Sequence, residues 1–430
     1  MIKKIIRKLT PRFILDFYHR VFSLLGALVN GYPSNKLKVI GVTGTNGKST
    51  VVSMISFLLE KEGYKVGSTS TVGFKIGDKE WLNDQKMTMI GRFALQKMLA
   101  RMVKQGCNYA VIETSSEGIK QYRHLGINYD VTVFTNLTPE HLESHGGFEN
   151  YKKAKLKLFK HLTKGPEKTD TPKIIVANKD DRYFEEFINY QANQKISFSI
   201  KEESNFQAHD INFKDFRMSF DLKGINFEVD ILGEFNVYNI LASLAVCSSQ
   251  GMDLKKMADY LKDFEGTPGR MEFIKNGKNI KILVDYAPEI ESLKQLYRAL
   301  DLFVYNRLIH VLGSCGGGRD KSRQPVLGNM AGNKADIVIV TNEDPYDDDP
   351  MEIIDTVAQG AIENGKVLDK DLFKVEDRRE AIKKALKLAH KDDLVLLTGK
   401  GAEQYICLAN GKKLAWDDRK VVRELLKELE

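Results

Sequence analysis

A chain of 430 residues, 42% hydrophobic and 29% charged, has the composition of an ordinary globular protein. It is too long for one core, since single cores stop growing at about 250–300 residues. Its 65 basic and 58 acidic residues leave a net charge of +7. The clearest basic cluster is at the N-terminus, in Lys3, Lys4, Arg7, Lys8 and Arg12, and no nucleic-acid-binding face is expected. Cys107, Cys247, Cys315 and Cys407 are widely spaced and form no CxxC pair, which excludes a disulfide framework and points to a reducing, cytoplasmic setting.

The first apolar stretch, FILDFYHRVFSLLGALV, is interrupted by Asp16, His19 and Arg20. It fits neither a spanning helix, which wants about 20 nearly uncharged residues, nor a cleaved signal. A helix somewhere within residues 2–33 is expected, packed on the body of the protein or lying at a membrane surface as a basic interfacial helix. From Leu37 the pattern changes to short β-branched runs separated by helical stretches. LKVIGV, YAVIET (109–114), VTVFTNL (131–137) and KIIVAN (173–178) predict buried parallel strands, with helices over 48–62 and 151–162. KISFS, MSFDLKG and NFEVDIL, between residues 195 and 232, predict hairpins at a sheet edge. A second α/β pattern follows KDFEGTPGR, with strands at KILVDYA (281–287), RLIHVLGS (307–314), DIVIVTN (336–342) and DLVLLTG (393–399) and a closing helix. The expected architecture is α/β: a short helical segment (1–36), a doubly wound nucleotide-binding domain with a β extension (37–265), and a smaller Rossmann-like α/β domain (266–430).

The stretch KLKVIGVTGTNGKST places a strand before a glycine-rich turn and a helix. Backbone N–H groups of such a turn converge on phosphate oxygens at the positive end of the helix. The strict phosphate-loop spelling needs a glycine where this chain has Val42. Gly44, Thr45, Asn46, Gly47, Lys48, Ser49 and Thr50 are nevertheless expected to hold ATP. Lys48 would reach the outer phosphates, and Ser49 would offer its hydroxyl to Mg²⁺.

Further motifs follow in order: ETSSEG, FTNLTPEHLESHG, YKKAKLKLF, GEFNVYNILAS, GTPGRME, VDYAPEIESL, LGSCGGGRDKSRQPVLG and GKGAE. Together with GVTGTNGKST they resemble the Mur ligases, and among these the enzymes that add the third residue of the peptidoglycan stem peptide. The resemblance covers nearly everything after Leu37. It implies a Mur-ligase-type central ATPase domain and a monomeric ligase that uses ATP and Mg²⁺. Such an enzyme would join an amino acid to a UDP-N-acetylmuramoyl dipeptide through an acyl phosphate, in a cleft that closes between two domains and excludes water.

By that resemblance Glu113, His141 and a CO₂-carbamylated Lys155 would hold Mg²⁺ with Ser49. Taken alone, Lys155 also fits a solvated face shared with Lys152, Lys153 and Lys157. Asn236, Asn239, Arg270 and Asp285 would contact the nucleotide, although Asp285 also fits a simple cap. Thr88, Ser115 and Ser116 would face the acceptor, and Arg319, Asp344, Pro345, Tyr346, Gly399 and Glu403 the incoming amino acid. Four departures stand out. About 40 residues precede the loop where relatives carry a uridine-nucleotide-binding domain. Pro288 and Ala402 stand where histidines are usual. Tyr346 occupies the position of an arginine that pairs with diaminopimelate, and the acids Glu343, Asp344, Asp347, Asp348 and Asp349 around it favour lysine. Two other readings remain open: a folylpolyglutamate-synthase-like ligase, and a non-catalytic ATP-binding partner in a cell-wall complex. Peripheral membrane contact through residues 1–30 is a further expectation.

Overall fold

The computed structural model describes residues 11–139, 145–214, 217–302 and 304–429, without the side chains of residues 12 and 13. The chain divides into two units. One holds residues 1–212, 219–229 and 235–264, the other residues 213–218, 230–234 and 265–430.

The first unit opens with helix α1 (Arg12–Val29) and is built on a nine-stranded sheet. In chain order it runs β1 (Lys38–Thr43), α2 (Lys48–Lys61), β2 (Val66–Thr69), β3 (Gly73–Ile76), β4 (Lys79–Leu82), α3 (Arg92–Lys104), β5 (Tyr109–Glu113) and the short α4 (Ser116–Lys120). There follow β6 (Val131–Phe134), α5 (Phe148–Lys164), β7 (Ile174–Asn178), α6 (Phe184–Ile188), β8 (Gln194–Ser199) and β9 (Phe206–Gln207). The sheet order is β4-β3-β2-β5-β1-β6-β7-β8-β9. Its centre is parallel, and residues of β1, β5, β6 and β7 are buried on both faces, as a sheet covered by helices on each side demands.

The chain then forms β10 (His209–Lys214), β11 (Arg217–Leu222) and β12 (Ile225–Val229), a separate three-stranded sheet, and helices α7 (Glu234–Ser249) and α8 (Leu254–Leu261). KISFS departs from the hairpin expectation: it is β8, parallel to β7 and part of the main sheet. Its alternation of buried and half-buried side chains matches a hairpin strand equally well, so only the tertiary partner decides. The N-terminal stretch forms the expected helix over Arg12–Val29, and the residues before Pro11 lie outside the described part.

The second unit carries a six-stranded sheet of order β13-β14-β18-β15-β16-β17. Its elements are β13 (Glu272–Phe273), β14 (Lys281–Val284), α9 (Ile290–Leu300), β15 (Leu308–Leu312), α10 (Arg323–Lys334), β16 (Ile337–Thr341) and α11 (Pro350–Ile362). β17 (Leu372–Val375), α12 (Arg378–Leu388), β18 (Leu394–Leu397), the small pair β19 (Tyr405–Cys407) and β20 (Lys413–Ala415), and α13 (Asp418–Glu428) complete it. All but β13 run parallel in this sheet. β17 was not expected from the sequence: four residues, only Leu372 of them buried, give too short a period to read.

Candidate functional site

Register brings the first group of residues together. In the parallel pairing of β1 with β5, Val42 lies opposite Glu113, and in that of β1 with β6, Thr43 lies opposite Phe134. The turn after β1, the end of β5 and the segment after β6 therefore meet at one edge, where α/β sheets place their ligands. Gly47 caps α2 at φ 84° and ψ −14°. A Cβ there would sit 2.2 Å from Asn239 Oδ1, so both the dihedral and the neighbour require glycine. Asn239 in turn donates to Asn236 Oδ1 (2.9 Å), so the two asparagines of α7 lie side by side against the loop.

The loop is held from below by β6's extension. Thr45 N–H donates to Asn136 O (2.9 Å), Asn46 N–H to Asn136 Oδ1 (2.8 Å), and Thr135 Oγ1 and Asn136 Nδ2 donate to Asn46 O (2.7 and 3.1 Å). Lys48 Nζ donates to Thr45 O at 2.6 Å, arching its stem over the turn. Such bracing fixes the loop's backbone groups before any ligand arrives, which reduces the ordering that binding must impose.

Glu113 ends β5 and is 1% exposed. Its Oε2 accepts from Ser49 Oγ (2.8 Å) and Thr71 N–H (2.7 Å), and its Oε1 from Thr71 Oγ1 (2.9 Å). Thr71 Oγ1 also lies 2.9 Å from Thr88 Oγ1. A buried carboxylate and a hydroxyl at the first turn of α2 form a pair of hard oxygen donors. That chemistry fits Mg²⁺, which is commonly bound through one or two protein oxygens together with substrate phosphates. Among the described residues there is no group of three or more His, Cys, Asp or Glu able to hold a metal. His141 lies outside the described residues.

Lys155 resolves one alternative. In α5 the buried residues Tyr151, Lys152, Ala154, Lys155, Leu158, Phe159 and Leu162 share one stripe, Lys152 paired with Glu149 and Glu186, whereas Lys153 and Lys157 are exposed. Lys155 is 1% exposed, donates to Gly44 O at 2.5 Å and lies 4.5 Å from the centre of the Tyr151 ring. It belongs to the loop, not to a solvated face. Ser115 caps α4 by accepting from Gly118 N–H (3.2 Å), and Ser116 beside it is buried.

In the second unit Val284 pairs with Leu397 and Leu312 with Val340. The segments after β14, β15, β16 and β18 thus leave one sheet edge together. Asp285 accepts from Met271 N–H (2.7 Å) and Ala287 N–H (2.9 Å), the behaviour of a cap. Burial pushes its carboxyl above the usual carboxylate range, opposed by the Arg270 charge. Arg270 lies 4.4 Å from the centre of the Tyr286 ring, a cation–π distance. Arg319 is exposed.

Lys400, fully buried, donates to Asp344 Oδ1 (2.9 Å), Glu403 Oε2 (2.8 Å) and Tyr405 O (2.8 Å). It fixes two of the expected amino-acid contacts at once. Sequence reasoning missed it, although it sits inside GKGAE; the signal was a lysine three residues past a strand of four apolar residues. Thr71, Thr135 and Asn136 were missed as well.

The acidic loop differs from its expected role. Glu343 is buried, accepts from Cys315 Sγ (2.8 Å) and has its pKa raised by burial. Asp344 also accepts from Cys407 N–H (2.7 Å), and Asp347 from Asn410 N–H (2.8 Å). Asp348 accepts from Gly317 N–H (3.1 Å) and lies 3.5 Å from Lys321, and Asp349 caps α11. These acids shape the loop, so their number gives no support to a cationic substrate side chain. Tyr346 adopts φ 55° and its N–H donates to Cys407 O (3.0 Å), and Pro345 precedes it.

Comparison with known proteins accords with this geometry. Residues 42–247 match the Mur ligase middle domain, and residues 269–401 match the Mur ligase, glutamate ligase domain. UDP-N-acetylmuramoyl-L-alanyl-D-glutamate--2,6-diaminopimelate ligase 1 of Clostridium acetobutylicum is 36% identical over 416 residues, covering 95% of this chain and 82% of the relative. The UDP-N-acetylmuramyl-tripeptide synthetase of Borreliella afzelii is 37% identical over 93% of this chain and 78% of its own length.

Among solved structures, a UDP-N-acetylmuramoyl-L-alanyl-D-glutamate--2,6-diaminopimelate ligase superposes with TM-score 0.62 at 31% identity, over 91% of this chain and 79% of the other. Mycobacterium tuberculosis folylpolyglutamate synthase, complexed with ADP and AMPPCP, gives TM-score 0.70 at 18% identity over 88% and 91%, a likeness of fold. The chain belongs to the Mur ligases, enzymes that use ATP to join an acid to an amino acid.

Proposed function

We propose that this enzyme adds diaminopimelate to the terminal carboxylate of UDP-N-acetylmuramoyl-L-alanyl-D-glutamate, in the synthesis of peptidoglycan precursors. The observation that carries the reading is the braced loop with Ser49 and Glu113 beside it, joined to the names of relatives that match across both units. The acceptor carboxylate attacks the γ-phosphorus of ATP, ADP leaves, and an acyl phosphate forms. The amine of the amino acid then attacks the acyl carbon, phosphate leaves, and the nitrogen gives up a proton to complete the amide.

Gly44 to Thr50 would hold the phosphates, with Lys48 as the point charge on the outer ones, and Asn236 and Asn239 would meet the base. Arg270 and Asp285 would act on the nucleotide from the second unit's sequence. Ser49 and Glu113, with His141 and a carbamylated Lys155, would hold Mg²⁺, which when bound neutralises phosphate charge. Thr88, Ser115 and Ser116 would orient the acceptor. Glu403, aimed by Lys400, would receive the incoming amine, with Arg319, Asp344, Pro345, Tyr346 and Gly399 around it. The protein would act as a monomer.

Purified protein incubated with ATP, Mg²⁺ and the UDP-muramoyl dipeptide, with diaminopimelate and lysine in separate reactions, tests the reading by product mass. Gain of one diaminopimelate residue supports it. Gain only with lysine overturns the choice of amino acid, and gain on a pteroylglutamate but not on the dipeptide overturns the acceptor. For Lys155, an intact-protein mass increased by one CO₂ and lost in Lys155→Ala is the expected result; an unmodified, fully active Lys155→Ala variant would refute the carbamate.

A further inference from the structure

Helix α1 is amphipathic the wrong way round for a helix packed on a protein. Ser23, Gly26 and Ala27 face the body of the first unit, with Ser23 Oγ donating to Tyr122 O (2.7 Å). The large apolar residues Phe17, Tyr18, Leu24, Leu25, Leu28 and Val29 point outward instead, Phe17 at 69% and Val29 at 74% exposure. Their three- and four-residue spacing keeps them on one side. Phe93, at the start of α3, continues the patch, its ring 6.0 Å from that of Phe22. A contiguous apolar surface of this kind marks an interaction site.

The chemistry beside it says what it meets. The ten residues before Pro11 carry Lys3, Lys4, Arg7 and Lys8 and no acid. Apolar anchors next to a basic segment match a surface that is apolar a few ångströms in and anionic at its face. No helix among the described residues is long and apolar enough to cross a membrane. We infer that the exposed face of α1 docks this enzyme on an anionic lipid bilayer, with the helix lying in the headgroup region. This inference does not depend on which amino acid or acceptor the enzyme uses.

Flotation of the full chain with vesicles tests it, using phosphatidylcholine alone and a phosphatidylcholine–phosphatidylglycerol mixture. The protein is expected to float with the mixed vesicles and to be released by salt. A Phe17→Asp, Leu25→Asp variant should stay behind with an unchanged circular dichroism spectrum. Replacing Lys3, Lys4, Arg7 and Lys8 by serine should weaken partitioning by roughly fivefold per charge removed. Wild-type protein that ignores both vesicles overturns the proposal, as does equal flotation of the double aspartate variant. A concentration-dependent dimer dispersed by that variant, without vesicle binding, would assign the face to a second copy instead.

Discussion

Gly47 and Glu113 concentrate the demands that the loop makes on single residues. A Gly47→Ala substitution meets both a left-handed φ and the Asn239 amide, a strain of about 1–3 kcal/mol. The expected outcome is weakened ATP binding in calorimetry together with a lower melting temperature. Glu113→Gln keeps the shape and the acceptor oxygen for Ser49 or Thr71 but removes the charge. Phosphate release should fall by about 10²–10³-fold while the melting temperature stays close to wild type; a large loss of stability instead would assign Glu113 to the fold. Neither Thr71 nor its bonds to Glu113 could be read from the chain, because 42 positions separate the pair. Gly47 was legible because the turn between β1 and α2 is spelled locally in GTNGKS, whereas its contact with Asn239 was not.

At the scale of elements, the second unit's helices α12 and α13 are joined by a buried ion pair. Arg378 Nε and Nη2 donate to Asp418 Oδ1 and Oδ2 (2.8 and 2.7 Å), with both side chains fully buried, and Arg378 Nη2 also donates to Thr398 O (2.7 Å). Removing one partner leaves the other charge uncompensated. Asp418→Ala should therefore cost about 3–5 kcal/mol in urea unfolding, whereas a paired change of both residues to well-packed apolar ones should cost far less. The strands themselves were legible where apolar runs were long. Their partners were not: β8 read as a hairpin strand and pairs with β7 in parallel, because a strand's period reports its faces and says nothing of its neighbour. Lys155 shows the converse. A lysine on an apolar stripe of α5 was visible at its spacing, but four lysines in six residues masked it until its bond to Gly44 O set it apart.

Across the whole molecule, each unit has its own apolar core, its own buried histidine and its own tryptophan. Trp81 packs against the first core and Trp416 against the second. His124 in the first unit and His310 in the second are each pushed down to about 3 by burial, from an ordinary 6.5. His310 lies between Tyr297 Oη (2.8 Å) and Thr398 Oγ1 (2.9 Å). Since both folded-state values lie below the unfolded one, the unfolded chain binds more protons between about pH 6.5 and 3. Stability should be full above that window and fall as pH drops through it, by up to about 1.4 kcal/mol per pH unit for each histidine. Urea unfolding at pH 7 and pH 5.5, with Trp81→Phe and Trp416→Phe variants to isolate each signal, should show the fall at both reporters. His124→Leu should flatten only the Trp81 signal.

The strand order of the second sheet also has a consequence in time. β14 and β15 are consecutive strands in the chain, yet they never pair; β18 lies between them and bonds to both. A ribosome working at about 5–20 residues per second therefore delivers β14, β15, β16 and β17 before the strand that joins them. Until Leu394–Leu397 emerges, the nascent sheet exists in two pieces, each with an open parallel edge. The 37 residues from Leu394 to the end carry a disproportionate share of the folding information, and the long wait for them is where this protein is most exposed to mispairing.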